Sequence, residues 1–238
     1  FQFHSQGNIA EAAKYYQYLI IQGVPDHRVF SNYGLILKGL GKLKEAELST
    51  NKAIELNPES AMAHNNLGNI LRDLGKLKES EIALREAIKI NPNFAIAYNN
   101  LASILKDLGE LKQAELSVRK AIQIDPTFAI AYNNLSCILK DLGQSNEAET
   151  HARKAIQLMP ELQDAHLNLG NILNSNQKLE EAINSYESAL NLNSNFNPAL
   201  IGLGKVLLKK GNYLQGLKKL KEGEGFISFN LDDGLSFN

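Results

Sequence analysis

Five asparagines, Asn32, Asn66, Asn100, Asn134 and Asn168, stand 34 residues apart along the chain. A carboxamide offers one acceptor and two donors, the complement of a peptide group in an extended strand. A row of such groups at constant spacing would grip a main chain with little regard to its side chains. Asparagine is a mediocre helix former, so its recurrence at one phase needs a reason. The reason is either a ligand or hydrogen bonds between neighbouring helices that fix their spacing. Asn65, Asn99 and Asn133 add a partial second row, and Asn69, Ser103, Cys137 and Asn171 a third, one turn further on. Lys38, Arg72, Lys106 and Lys140 recur near the ends of the same stretches, the last three each followed by Asp73, Asp107 or Asp141. Alternating cations and anions could read charged ligand side chains. Exposed pairs contribute little, however, and a solvated rim is the simpler reading.

Other chemistry is missing. The histidines are His4, His27, His64, His151 and His166, and His64 and His166 fall in slots where an aromatic residue would pack, which predicts a core role. No HExxH, CxxC, GxSxG or phosphate-binding loop occurs. Cys137 has no base beside it in sequence, and the Asn134-Leu135-Ser136 acceptor triplet lies within a helical pattern. The sequence therefore predicts no catalytic residue, no metal site and no cofactor.

The elements that must position the asparagines follow from the same period. Ala61 to Pro92, Ala95 to Pro126 and Ala129 to Pro160 are near-copies, and Pro58, Pro92, Pro126 and Pro160 keep the 34-residue step. Within Ala95 to Leu108, apolar residues recur every three or four positions, the face of an amphipathic helix. Gly109 supplies the left-handed residue that ends a helix most cheaply. A second pattern runs through Leu111, Ala114, Val118, Ala121 and Ile124 to Pro126, since a residue before proline is pushed from helical dihedrals. Each unit is thus two helices joined by a short turn. Neither can bury its apolar side alone, so units must stack.

This pattern resembles the tetratricopeptide repeat, whose motif slots are filled by Tyr98, Leu101, Ala102, Leu105, Gly109, Ala114, Val118, Ala121 and Pro126, and again from Tyr132 to Pro160. The resemblance implies an all-α fold, a right-handed superhelical solenoid of antiparallel helix pairs, with the first helix of each pair lining the concave surface. The array is similar to the repeat domain of O-linked N-acetylglucosamine transferases, where asparagines in the matching slot hold peptide main chain. Chaperone-binding members instead clamp a carboxylate with lysines, asparagines and an arginine. Here Ile96 and Asn100, or Ile130 and Asn134, occupy the slots that need Lys and Arg, so that clamp is incomplete.

In order, residues 1–222 read as a truncated first repeat and six more, the last a cap. Phe1 to Gly7 reads as the end of a first helix, and the absence of an initial Met marks a fragment. In the sixth repeat Gln177 replaces the turn glycine and Ser194 the proline, which predicts loosely specified joints. Gly216 and Gly223 stand where alanine is usual. Residues 223–238 read as a non-helical tail, a hairpin around Asp232-Asp233-Gly234 or a linker.

The net charge of −1 and sequence pI near 6.6 argue against nucleic acid. No apolar run is long enough for a bilayer span, and one cysteine fits a reducing, cytoplasmic setting. The expected function is a non-enzymatic scaffold that binds an extended peptide or protein segment in its groove. The alternatives are the substrate-recruiting repeats of a larger transferase, or a scaffold that self-assembles as a homo-oligomer through its end repeats.

Overall fold

A computed structural model describes residues 9–224, 227–230 and 234–237. The reading of Phe1 to Gly7 as a helix end, and the turn at Asp232-Asp233, lie outside these residues. The described residues form two compact units, one ending at Asp125 and one beginning at Pro126.

The first unit contains α1 (Ile9–Ile21), α2 (His27–Gly39), α3 (Leu43–Leu56), α4 (Ala61–Asp73), α5 (Leu77–Ile90), α6 (Ala95–Asp107) and α7 (Leu111–Ile124). The second contains α8 (Ala129–Asp141), α9 (Ser145–Leu158), α10 (Gln163–Ser175), α11 (Leu179–Leu192), α12 (Asn197–Lys209) and α13 (Tyr213–Glu224). Two strands follow, β1 (Ile227–Asn230) and β2 (Gly234–Phe237), paired antiparallel with Ile227 opposite Phe237. Each first helix packs against its own second helix, and within each unit a second helix packs against the first helix that follows it. Within each unit, first helices also touch their counterparts in the next repeat, as α2 does α4 and α10 does α12. The molecule is an all-α repeat array.

The helix pairs close through small residues on one side and a matched larger residue on the other. Gly68 of α4 faces Leu84 of α5, and a Cβ added there would fall 2.6 Å from Leu84 Cγ. Gly170 faces Tyr186 in the same way, and Gly204 faces Leu220. Where the first-helix slot is larger the partner shrinks: Ala102 with Val118, Ser136 with Ala152. Together the pair must fill a fixed volume, because interiors are packed at crystal-like density. Tyr186 is wedged from both sides, since a Cβ at Gly202 would also meet its ring at 2.6 Å. Burial pushes its phenol up to about 12.

The turn inside each repeat is set by backbone bonds. After α4, Gly75 N–H donates to Arg72 O at 2.9 Å and Lys76 N–H to Leu71 O at 2.9 Å, with Gly75 at φ +76°. The sixth repeat corrects the expectation of a loose joint. Gln177 takes φ +60° without being glycine, and its turn makes the same two bonds, to Asn174 O at 3.2 Å and from Lys178 N–H to Leu173 O at 2.9 Å. Packing of α10 on α11 holds the residue in a region its Cβ disfavours. The missing proline is compensated too. Asn193 Oδ1 accepts from Asn195 N–H at 3.1 Å, as Asn91 does from Asn93 at 3.1 Å. An Asx turn therefore fixes the bend without the ring.

At the C-terminal end α13 continues through Gly223 to Glu224, past the expected helix stop. Gly223 is buried, and a Cβ there would lie 2.9 Å from Ile201 Cγ1. It marks close approach of α12 and α13, as does buried Gly216 against Leu208. Both glycines stand where alanine is usual because this pair is tighter.

Two outcomes follow. Gly68→Ala should lower unfolding stability by about 1–3 kcal/mol through overpacking, and adding Leu84→Val should recover most of it, since Ala102 with Val118 is the native form of that combination. Equal losses in the single and double variants in urea titrations would refute the coupling. Gln177→Gly should raise stability by about 1 kcal/mol by relieving the left-handed residue; a loss would show that the Gln side chain matters to the turn.

Candidate peptide groove on the first helices

Asparagine at the repeated slot lies at the edge of its helix's packed face, and the structure uses it to join repeats. Asn66 Nδ2 donates to Ser31 Oγ at 3.0 Å, Asn100 Nδ2 to Asn65 Oδ1 at 2.9 Å, and Asn168 Nδ2 to Asn133 Oδ1 at 2.9 Å. In each case donor and acceptor are 35 residues apart and come from successive first helices of one unit. Asn32 has no earlier first helix among the described residues and donates to Tyr16 Oη at 3.3 Å. In the last repeat the slot is Gly202 and the acceptor position is Leu167. Donor and acceptor are lost together, leaving neither orphaned.

This geometry revises the groove in two places. Asn65, Asn99 and Asn133 lie between 3% and 7% exposed, so they are buried polar residues of the repeat interface and line no groove. Asn66 is 3% exposed and turned the same way, so it does not project off the packing stripe. Their carboxamides are inside because a neighbouring helix supplies the hydrogen bond that burial demands.

Asn32, Asn100, Asn134 and Asn168 are half-buried. For Asn32, Asn100 and Asn168 a single amide hydrogen bond is made, leaving Oδ1 and the second N–H without a protein partner. Among the described residues the buried unpartnered side-chain atoms are His27 Nδ1, Thr50 Oγ1, Asn176 Nδ2 and Glu224 Oε2, so those carbonyl oxygens reach solvent. One turn ahead on the same stripe stand exposed Met62, Ile96 and Ile130. Between α2 and α4 a cavity of about 210 Å3 is lined by His27, Arg28, Ser31, Asn32, Ser60 and Met62. Polar amides and exposed apolar side chains thus share one helical stripe.

The charged row is largely spent within the protein. Lys38 Nζ lies 2.8 Å from Asp73 and Arg72 2.9 Å from Asp107, each again 35 residues on, while Lys140 stands 3.9 Å from Asp141. Lys106 and Asn69 are half-buried on the same face. Asn171 Oδ1 accepts from Tyr186 Oη at 2.8 Å and so anchors the wedged ring.

The histidines differ from the core role predicted for them. His64 and His166 are half-buried, and each Nε2 lies at hydrogen-bond distance from the preceding loop, Pro58 O at 3.0 Å and Pro160 O at 2.8 Å. His151 stacks on Tyr132 with ring centres 5.8 Å apart. Among the described residues no cluster of His, Cys, Asp and Glu could hold a metal, and no helix is long and apolar enough to cross a membrane.

Comparison with known proteins agrees with this architecture. Three repeat-family models match: "TPR repeat" at residues 68–109 and 170–211, and two described as "Tetratricopeptide repeat", at 50–82 and 118–150 and at 27–60 and 95–128. No curated protein matches the chain. Among solved structures, a chain of the APC/C hetero-tetramer Cut9–Hcn1 is similar with TM-score 0.85 and 16% identity over 94% of this chain, which spans only 44% of that one. Pseudomonas aeruginosa pilF is similar with TM-score 0.73 and 18% identity, covering 84% of this chain and 96% of that. YrrB, described as a TPR protein with an unusual peptide-binding site, matches with TM-score 0.58 and 21% identity over 79% of this chain and 97% of its own. At these identities the likeness is one of fold. With the family matches covering most of the helices and the 34-residue frame intact in both units, the chain belongs to the tetratricopeptide-repeat family, whose arrays serve as scaffolds for protein–protein interaction.

Proposed function

We propose that this scaffold holds an extended peptide or partner segment along its first helices, with the half-buried asparagines bonding the ligand main chain. The observation that carries the reading is the half-used carboxamide. Asn32, Asn100 and Asn168 each commit one N–H to the protein and present a solvent-reaching oxygen beside an amide proton. Exposed Ile96 offers apolar contact one turn from Asn100, and exposed Met62 and Ile130 occupy the same slot on other first helices. The asparagines thus do two jobs, spacing the repeats and facing a ligand. Recognition led by the main chain is permissive as to sequence. YrrB's description as a peptide-binding relative of the same fold is consistent with this.

The two jobs separate by mutation. Asn100→Ala alone orphans the buried Asn65 carboxamide and should cost about 1–3 kcal/mol of stability. Asn65→Ala/Asn100→Ala removes both partners and should cost less than the sum of the single changes, by about 1 kcal/mol in a double-mutant cycle. Strict additivity would remove the bridge from the account. The same double variant, with helicity unchanged by circular dichroism, should select 12-residue peptides from a random displayed library at least tenfold more weakly than the parent. Undiminished capture would show that Asn100 serves spacing alone.

A further inference from the structure

Second helices of the first unit carry an apolar row on their solvent side. Leu48 of α3, Ile82 of α5 and Leu116 of α7 occupy the same register, 34 residues apart, and are 71%, 69% and 70% exposed. The neighbours of each are the Lys, Glu, Gln and Arg of an ordinary wet helix face. In the second unit the register holds Thr150, Asn184 and Lys218. Chain-wide helical amphipathicity therefore does not account for the row, and core packing does not use it.

Beside Ile82 the row opens into a groove of about 390 Å3 between α3, α4 and α5. Its apolar wall is Ile54, Leu67, Leu71, Ile82 and Ala83, and Glu79 and Glu86 stand on its rim. The groove exists because of two small choices. His64 takes the slot that Tyr98 and Tyr132 fill in other repeats and bonds back to Pro58 O. Ala83 takes the place of His151, which covers Tyr132 by stacking. The same histidine choice recurs at His166, with Ser185 opposite, and a smaller groove of about 240 Å3 lies there. That second groove is edged by the Arg153–Glu181 ion pair, 2.5 Å apart, and by Asn184, Ser185 and Ser188. Its rim charges cancel each other.

The first groove's rim charge is not cancelled. Glu86 is paired with Lys89 at 2.8 Å, but Glu79 has no cation partner in the described structure. Glu79, Ile82, Ala83 and Glu86 follow the i, i+3, i+4, i+7 spacing of a single helical stripe. An apolar wall with an uncompensated carboxylate at its lip selects against acidic ligands and anionic lipid surfaces.

We propose that this groove and the Leu48–Ile82–Leu116 row form a second docking surface, distinct from the asparagine groove, for a partner protein's amphipathic helix whose leucine-type side chains are bordered by lysine or arginine. An apolar side chain enters the groove beside Ile82, and the adjacent cation meets Glu79. Helix-in-groove recognition seats apolar anchors in such a groove, and a complementary charge at its border selects among partners.

The test uses the full chain and two fluorescein-labelled 14-residue helical peptides, one of leucine and lysine, the other of leucine and glutamate. The leucine–lysine peptide should bind at least tenfold more tightly in anisotropy titrations. Amide shifts in ¹⁵N spectra should be confined to α3, α4, α5 and the Leu116 face of α7. Ile82→Lys, at an exposed site that folding does not need, should weaken binding at least tenfold, and Glu79→Gln should reduce both affinity and its salt dependence. Asn65→Ala/Asn100→Ala should leave this binding unchanged, which separates the result from that of the first-helix groove. Equal binding of both peptides, shifts spread over the whole chain, or indifference to Ile82→Lys would overturn the proposal. A dimer in sedimentation that Ile82→Lys dissolves would also overturn it, by showing a second copy to be the occupant.

Discussion

Contact between the two helices of a repeat is the constraint on which the rest of this molecule depends. Each pair closes where a residue with little or no side chain lets the partner's side chain reach the backbone, as Gly68 does for Leu84 and Gly170 for Tyr186. A fully buried leucine contributes about 1.5–3 kcal/mol, and that gain requires the gap to be neither larger nor smaller than the side chain filling it. Once the pair is closed, the angle and depth of the first helix are fixed. The next first helix then arrives at a set distance, close enough for a carboxamide to reach its counterpart 35 residues away. The asparagine bridges follow from the pair packing, since a shift of about an ångström would take them beyond hydrogen-bond range.

The frame was legible in the sequence because it is written in local chemistry. Apolar residues at helical spacing, a glycine in the left-handed slot and a proline after the second helix are each sufficient to place a boundary. The exceptions show why the frame outlasts individual letters. Gln177 is held in the glycine conformation, and Asn193 makes the bend that proline makes elsewhere. Tertiary packing specifies those joints as strongly as sequence does. Gly223 is the reverse case. Read locally it breaks a helix, whereas in the fold it is a place where two helices press together.

The site was only partly legible, for a geometric reason. Counting by 34 finds equivalent residues but cannot say which residue faces which. Contact between successive first helices runs at an offset of 35, pairing Asn100 with Asn65 and Asn66 with Ser31. The signal was present in the doubled asparagines, where the first of each pair is the buried acceptor. It was present again in the joint change to Leu167 and Gly202, where the bridge is given up whole. The charged row obeys the same offset, with Lys38 meeting Asp73 and Arg72 meeting Asp107. Reading both rows at 35 shows that stacking uses most of the polar capacity of this face.

That accounting limits what the groove can offer a ligand. A net hydrogen bond contributes about 0.5–1.5 kcal/mol, so Asn32 and Asn100, the two half-used amides of the first unit, each with an oxygen and an N–H left to offer, together supply about 2–6 kcal/mol. A millimolar complex needs about 4 kcal/mol. Main-chain contacts alone would therefore hold a peptide at about millimolar affinity, and tighter binding has to come from apolar burial. Met62 and Ile96 stand exposed on the same stripe, and at about 25 cal/mol per Å2 covering such side chains adds a gain comparable to that of the amides. In the proposed binding mode the asparagines would fix direction and register, while the apolar residues one turn ahead would hold the ligand down. A permissive groove of this kind gains selectivity most readily by contact at a second place on the same partner, because tethered contacts multiply rather than add.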